Sequence, residues 1–429
     1  MDEVLLLTII LAAVVLANIL ARHVTKIPLP FFLIFLGTLL AGLPVYKNFH
    51  LDPSTFALAI IAPMLFNEAQ NSSRLWIGRS ISNILSLAVG LVLVSVLIVG
   101  TGLHLIYPVL PIALAFSLLA IVTPTDASAV NSIFEANPIA EEQAGILQHE
   151  SLFNDAAGIV LFDMALTAFI SGTFSMELAV WTFLWEFLGG LLFGSAIGVV
   201  IVSARLFLIR YNDDTPLIMV LIQLLTPFLV YLLAEKMAFS GILAVVAAGL
   251  VQGSERDKLR LTSSRMQLVT SNVWEIVSGM LSGTVFVLLG LSLPEVITAM
   301  HVSANPNFGV YRLIALGLFI YFLKGIIRLV WTRYLLKRRV KTNHEWRDSM
   351  VMALSGANGT ITLSLAFSMP NMVNGQPFAF RGTVNLLGGG CHPDEFDYAH
   401  HFRAAVVAKS GTKPAAVPLG ATDDSGSYQ

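Results

Sequence analysis

Asp126, Glu150 and Asp155 lie within otherwise apolar sequence, each beside residues that carry neutral oxygen atoms. Asp126 follows Thr123-Pro124-Thr125, and the other two belong to His149-Glu150-Ser151-Leu152-Phe153-Asn154-Asp155. An ionisable side chain at the centre of a helix in lipid costs from roughly 3 to over 10 kcal/mol, so acids at that depth need a reason, and the usual one is an ion or proton path. On a helix Ser151 and Asp155 share a face, as do Glu150 and Asn154, so one face offers a hydroxyl beside a carboxylate. Pro124 removes a backbone donor and frees a carbonyl. That predicts a helix unwound at membrane depth, which is tolerated only where the bared backbone lines a cavity or binds something. Hydroxyl, carboxylate and carbonyl oxygens without Cys or His make a hard-oxygen site suited to Na+, Li+ or K+ rather than to zinc or copper. The blander alternative is that Asp126 and Asp155 only cap or pair inside the bundle.

The elements that must hold these residues are membrane spans. Apolar residues make up 56% of the chain and charged residues 12%, with a mean hydropathy of +0.77, which excludes a single water-soluble core. Basic residues are scattered between apolar runs, so a nucleic-acid role is excluded too. The lone Cys391 rules out an intrachain disulfide and a cysteine metal cluster. Met1-Asp2-Glu3 lacks a basic leader, and the run from Val4 is read as a first retained helix. Runs of roughly spanning length fall at 4–20, 27–43, 55–69, 81–106, 110–134, 145–170, 178–209, 216–234, 240–252, 269–293, 311–336 and 349–369. The expectation is therefore an all-α polytopic membrane protein of about twelve transmembrane helices. Odd connections hold most of the basic residues, among them Arg22, Arg74, Arg205, Arg256 and Arg338, while even ones hold little beyond Lys47, Lys236 and Arg312. By the positive-inside rule the amino terminus lies outside. The fifth connection instead carries Glu135, Glu141 and Glu142, either an acidic mouth that concentrates cations or a solvated loop without a role.

A second interrupted span is expected at Ser355-Gly356-Ala357-Asn358-Gly359-Thr360, inside the run 349–369. Broken spans in corresponding positions of two halves point to a transporter built from inverted repeats with a midplane site. An ordinary, loosely packed helix is the alternative.

Thr123-Pro124-Thr125-Asp126-Ala127, His149-Glu150-Ser151-Leu152-Phe153-Asn154-Asp155-Ala156 and Ser355-Gly356-Ala357-Asn358-Gly359-Thr360 together resemble the NhaP/NHE branch of the monovalent cation:proton antiporters, from about Leu5 to about Met369. The resemblance implies about thirteen spans in inverted repeats, a dimerisation domain, and a moving core with two crossed, unwound helices around Pro124, Asn358 and Gly359. By position it makes Asp155 the carboxylate that takes the cation or the proton, with Asn154 as its signature neighbour. Asp126, Thr125 and Ser151 would complete a Na+ site with Asp155, and Glu68 matches a gating acid. Glu150 and Arg328 would form a structural ion pair. Lys324, four residues before Arg328, is read as snorkelling or packing, and His149 as a satisfied structural histidine. Asp163 takes no role from the resemblance.

The function expected is exchange of Na+ (or Li+) for H+ by alternating access across a bacterial plasma membrane, by a homodimer without cofactors. Asn154 is not a second acid, so one proton is displaced per cation and exchange is expected to be electroneutral. Sibling families with Asp-Asp there are associated with electrogenic exchange. A K+/H+ antiporter of the same fold is the alternative. The family commonly has an arginine where Asn358 stands, which leaves Glu150 one cationic partner. Residues 1–376 are read as the antiporter domain and 377–429 as a polar, disordered tail in place of a last span. The expected cause is a reading frame altered near Phe380 or loss of that span, with transport impaired. A channel would pass current without proton coupling. An intramembrane aspartyl protease using Asp126 and Asp155 is the rival from another class, but its Gly-x-Gly-Asp context is absent and so are other hydrolase motifs.

Overall fold

The computed structural model describes residues 2–24, 27–46, 53–72, 82–108, 110–125, 141–172, 176–211, 215–258, 264–302, 309–339, 345–354, 372–373 and 376–377. The chain divides into two compact units, Met1–Gly390 and Cys391–Gln429, and every described residue belongs to the first. The interruption expected at Asn358 and Gly359 and the tail beyond Pro377 lie outside the described residues, as does Asp126.

The described architecture is helical. In chain order it runs α1 (Asp2–His23), α2 (Leu29–Ala41), α3 (Pro53–Phe56), α4 (Ala62–Asn71), α5 (Val92–Ile106), α6 (Ile112–Val122), α7 (Glu141–Ser171), α8 (Met176–Arg210), α9 (Pro216–Lys236), α10 (Gly241–Lys258), α11 (Ser264–Val302), α12 (Gly309–Arg339) and α13 (Glu345–Leu354). Seven described helices are long and apolar enough to cross a membrane, and Leu29–Ala41, Ile112–Val122 and Gly241–Gly253 are shorter apolar helices. The all-α expectation holds, and the only extended pairing among the described residues is the two-residue antiparallel pair Met372–Val373 with Gln376–Pro377.

Two spans are locally π-helical. Ala57–Ile61 joins α3 to α4, just before Pro63, whose ring crowds the carbonyl one turn earlier and which donates no hydrogen bond, so the helix widens there. Ser86–Leu91 precedes α5 and receives the Trp331 indole, whose N–H donates to Ser86 Oγ at 3.1 Å.

Lipid supplies no hydrophobic drive between spans, so helices associate where small residues let backbones close up. Gly37 on α2 and Gly290 on α11 lie against each other, and a Cβ on Gly37 would sit 2.9 Å from Gly290 Cα. Thr38 Oγ1 closes that contact by donating to the Gly290 carbonyl at 3.2 Å. Gly190 and Gly194 pack α8 onto α10 at Ser240 and Ala244, while Gly249 and Gly253 pack α10 onto α4. Gripped from both sides, α10 buries every residue from Ile242 to Ala248. Outside the spans, buried Tyr46 donates its phenol to the Leu6 carbonyl at 3.0 Å. Burial pushes its pKa up, which keeps it a donor.

Candidate ion-binding site at a broken helix

The site forms where α6 stops and leans on α7. Pro124 has no N–H with which to continue the helix beyond Thr123, whose own backbone is still helical at φ −79° and ψ −37°. α6 accordingly ends at Val122, and Thr123 Oγ1 bonds back to the Leu119 carbonyl at 2.5 Å. Thr125 then leaves the helix with unsatisfied backbone, and α7 supplies the partners. Ser151 Oγ donates to the Thr125 carbonyl at 2.6 Å, Asn154 Nδ2 donates to Thr125 Oγ1 at 2.8 Å, and the Thr125 N–H donates to Asn154 Oδ1 at 3.3 Å. Because that N–H can only donate, the amide of Asn154 has one possible orientation. Asn154 is fully buried and tied to Thr125 on both sides, which makes it the clamp of the broken backbone.

Asp155 follows on the same turn and is buried, 4% exposed. The tertiary structure thus brings Thr125, Ser151 and Asn154 together, with Asp155 buried next to Asn154 in the chain. Gly158 allows the approach, since a methyl group there would lie 2.5 Å from Pro124 Cγ and 3.0 Å from the Ala120 carbonyl. Glu68 stands exposed on α4, a helix that touches α7.

Behind this layer lies a buried charged one. Arg328 Nη1 and Nη2 donate to the two carboxylate oxygens of Glu150 at 2.6 and 2.8 Å, a bidentate pair with 4% and 1% exposure. Arg328 Nε donates to the Met352 carbonyl of α13 at 3.2 Å. Asn154 Nδ2 also reaches Glu150 Oε1 at 3.4 Å, which joins the two layers. Lys324 does not snorkel: it is 4% exposed, and its Nζ donates to the Val122 carbonyl at 2.7 Å. His149 is buried, and among the described residues its Nδ1 meets no hydrogen-bond partner, where the sequence led one to expect a satisfied histidine.

Three features escape sequence reasoning. The Lys324 contact spans 202 residues, and the need for glycine at position 158 depends on where Pro124 docks. The third is a cavity of about 310 Å³ into which α7, α8 and α9 direct Asp163, Glu186 and Glu235, beside Ser54, Tyr231 and Ser240. The π-helical stretch contributes Ala57 and Ile61 to its wall. Glu235 Oε1 accepts the Gly241 N–H at 3.0 Å, which fixes one acid to the start of α10. Among the described residues no three His, Cys, Asp or Glu side chains are arranged to hold a metal ion together. Acids within apolar runs are the available signal, and Asp163 alone is singled out by it.

Residues 9–380 match the transmembrane sodium/hydrogen exchanger family. The sodium, potassium, lithium and rubidium/H+ antiporter of Bacillus subtilis is 35% identical over 399 residues, covering 91% of this chain and 59% of the relative. The uncharacterized Na+/H+ exchanger YjcE of Escherichia coli is 31% identical, with 85% of this chain and 69% of the relative covered. The chain thus spans about three fifths of the length of its Bacillus relatives. Among solved structures, the sodium proton antiporter MjNhaP1 of Methanocaldococcus jannaschii superposes with a TM-score of 0.64 at 19% identity, covering 86% of each chain, a likeness of fold.

Proposed function

The chain belongs to the sodium/hydrogen exchanger family and is a multi-pass plasma-membrane protein, and from that premise we propose that it exchanges a monovalent cation for H+ by alternating access. The observation that carries the reading is a buried carboxylate, Asp155, on the turn of α7 that holds the bared oxygens of Thr125. An anion taken out of water is costly to leave empty, and either a cation or a proton neutralises it. A carrier that crosses readily only when loaded then exchanges one for the other.

Thr125, Ser151, Asp126 and Asp155 supply the oxygens for Na+, and Glu68 gates access from the α4 side. Before any ion arrives, Ser151 and Asn154 already hold Thr125 in place, so the ligand geometry is formed in advance. Glu150 and Arg328 are structural and carry no transported charge. Since Asn154 is a neutral amide, one carboxylate turns over per cycle, and exchange is electroneutral. Na+ and Li+ are the favoured cations. K+ is the second reading, favoured by the Bacillus relative whose name includes potassium and rubidium. Pro124, Asn358 and Gly359 mark the two interruptions that the core carries in inverted repeats, and the working unit is a homodimer in the bilayer.

Loop charge orients the cavity lined by Asp163, Glu186 and Glu235 toward the outside, where an acidic vestibule raises the local cation concentration. The decisive experiment is dequenching of a pH-sensitive dye in everted vesicles on addition of Na+, Li+ or K+. The wild type dequenches and Asp155→Asn does not. Cation-driven proton movement surviving in Asp155→Asn would remove Asp155 from the mechanism. A rate that follows an imposed membrane potential would contradict one-for-one exchange.

A further inference from the structure

Four charged side chains are buried among the described residues: Glu150, Asp155, Lys324 and Arg328. Arg328 occupies both carboxylate oxygens of Glu150. Lys324 lies one turn earlier on α12, where its like charge faces that of Arg328, an arrangement that costs energy unless something at that position requires a cation. The Val122 carbonyl, which its Nζ meets at 2.7 Å, supplies the requirement. Val122 is the last residue of α6, so its carbonyl is one of the four that the helix leaves without an internal partner. It also sits at the negative end of the α6 dipole, where it meets a cation that is itself only 4% exposed. One turn further along α12, Arg328 Nε donates to the Met352 carbonyl of α13 at 3.2 Å.

We propose that Lys324 is a positioning residue for the ion site, fixing through the Val122 carbonyl the place at which α6 breaks and hence where the oxygens of Thr125, three residues on, stand relative to Asp155. The proposal rests on the exchange reading above. Ser151 and Asn154 hold Thr125 from the α7 side, and Lys324 holds the same strand of backbone from α12. Loss of the ammonium frees the last turn of α6 to fray, and the ligand oxygens then spread over several positions. The consequence is weaker cation binding at a site that still has its Asp155 carboxylate.

The test compares Lys324→Met, Lys324→Gln and Lys324→Arg with the wild type in the full chain, at matched amounts in everted vesicles. Lys324→Met is expected to raise the apparent KM for Na+ about tenfold or more, the effect of losing one charge-assisted hydrogen bond. Lys324→Gln, which keeps a donor without the charge, falls between, and Lys324→Arg returns close to the wild-type KM. Hydrogen exchange read by mass spectrometry on purified protein adds a measurement that needs no transport: amides from Leu119 to Thr125 exchange faster in Lys324→Met and return toward wild-type protection in Lys324→Arg. If Lys324→Met does not fold, Lys324→Gln and Lys324→Arg carry both comparisons. Unchanged KM and unchanged protection in the folded variants overturn the proposal, as does a lowered maximal rate at constant KM. A wild type that shows no cation-driven proton movement fails the exchange reading instead, and the hydrogen-exchange comparison then decides the role of Lys324 alone.

Discussion

At the scale of single residues, the neutral amide of Asn154 matters as much as the carboxylate beside it. It accepts from the Thr125 N–H and donates to Thr125 Oγ1, a pair of roles that an ionised acid cannot fill because it has no donor. Asn154→Asp would also set a second anion 3.4 Å from Glu150 Oε1. We therefore expect Asn154→Asp to lose exchange and to lower the melting temperature in detergent, without becoming electrogenic. A stable variant whose exchange responds to membrane potential would contradict this. Arg328→Met strands the Glu150 carboxylate in a buried setting and should destabilise the fold by about 3–5 kcal/mol, with Arg328→Lys only partly restoring it because a bidentate contact is lost. Thermal unfolding of the two variants against wild type measures the difference. At Gly158 even one methyl group meets Pro124, so Gly158→Ala should reduce exchange at normal membrane abundance, and unaltered transport would show that the contact gives way freely.

At the scale of elements, α6 is held at its end by Lys324 and long helices pack through glycine. The turn between α9 and α10 contains Ala238 at φ 54°, a left-handed position that a Cβ disfavours, next to Phe239 and Ser240 on the wall of the acidic cavity. Ala238→Gly should stabilise the protein by about 0.5–1 kcal/mol by removing that strain, read as a higher melting temperature in detergent. The α8 and α10 backbones touch at Gly194 and Ala244, where there is no room for a side chain. Gly194→Leu should separate the two helices, lowering both yield and melting temperature, and an unaffected variant would mean that α8 can slide on α10. The burial of α10 on opposite sides explains why a modest apolar run, at the short end for spanning, is nonetheless a fixed element.

At the scale of the whole molecule, the proposed exchange has two loads competing for one anion. If proton and cation share Asp155, the apparent KM for Na+ rises by up to about tenfold for each unit by which pH falls below the carboxylate's effective pKa, while the maximal rate holds, as mass action requires for mutually exclusive ligands. Transport assays over a pH series check this, and a constant KM with a falling rate would place the proton elsewhere. The acidic cavity belongs to this scale because it draws on three helices and on no local motif. Asp163→Asn combined with Glu186→Gln should weaken uptake most at low ionic strength and little at high salt, since the attraction of a vestibule is screened.

The sequence by itself determined the membrane class, most helix positions and the cluster of oxygen-bearing residues around Pro124 and Asp155, because burial in lipid forbids stray polar groups and so makes each one conspicuous. Pro124 announced the end of α6 through a missing donor, a property local to the chain. Only the tertiary structure decided which role each polar group fills: that Asn154 clamps Thr125, that Lys324 holds Val122 instead of reaching for the interface, that Gly158 is a seat for Pro124, and that Asp163 shares a cavity with two other acids. Those assignments join residues far apart in the chain across packed helices. Helical periodicity specifies which face a residue occupies, whereas its partner depends on which helix is pressed against that face, and no local spacing encodes that.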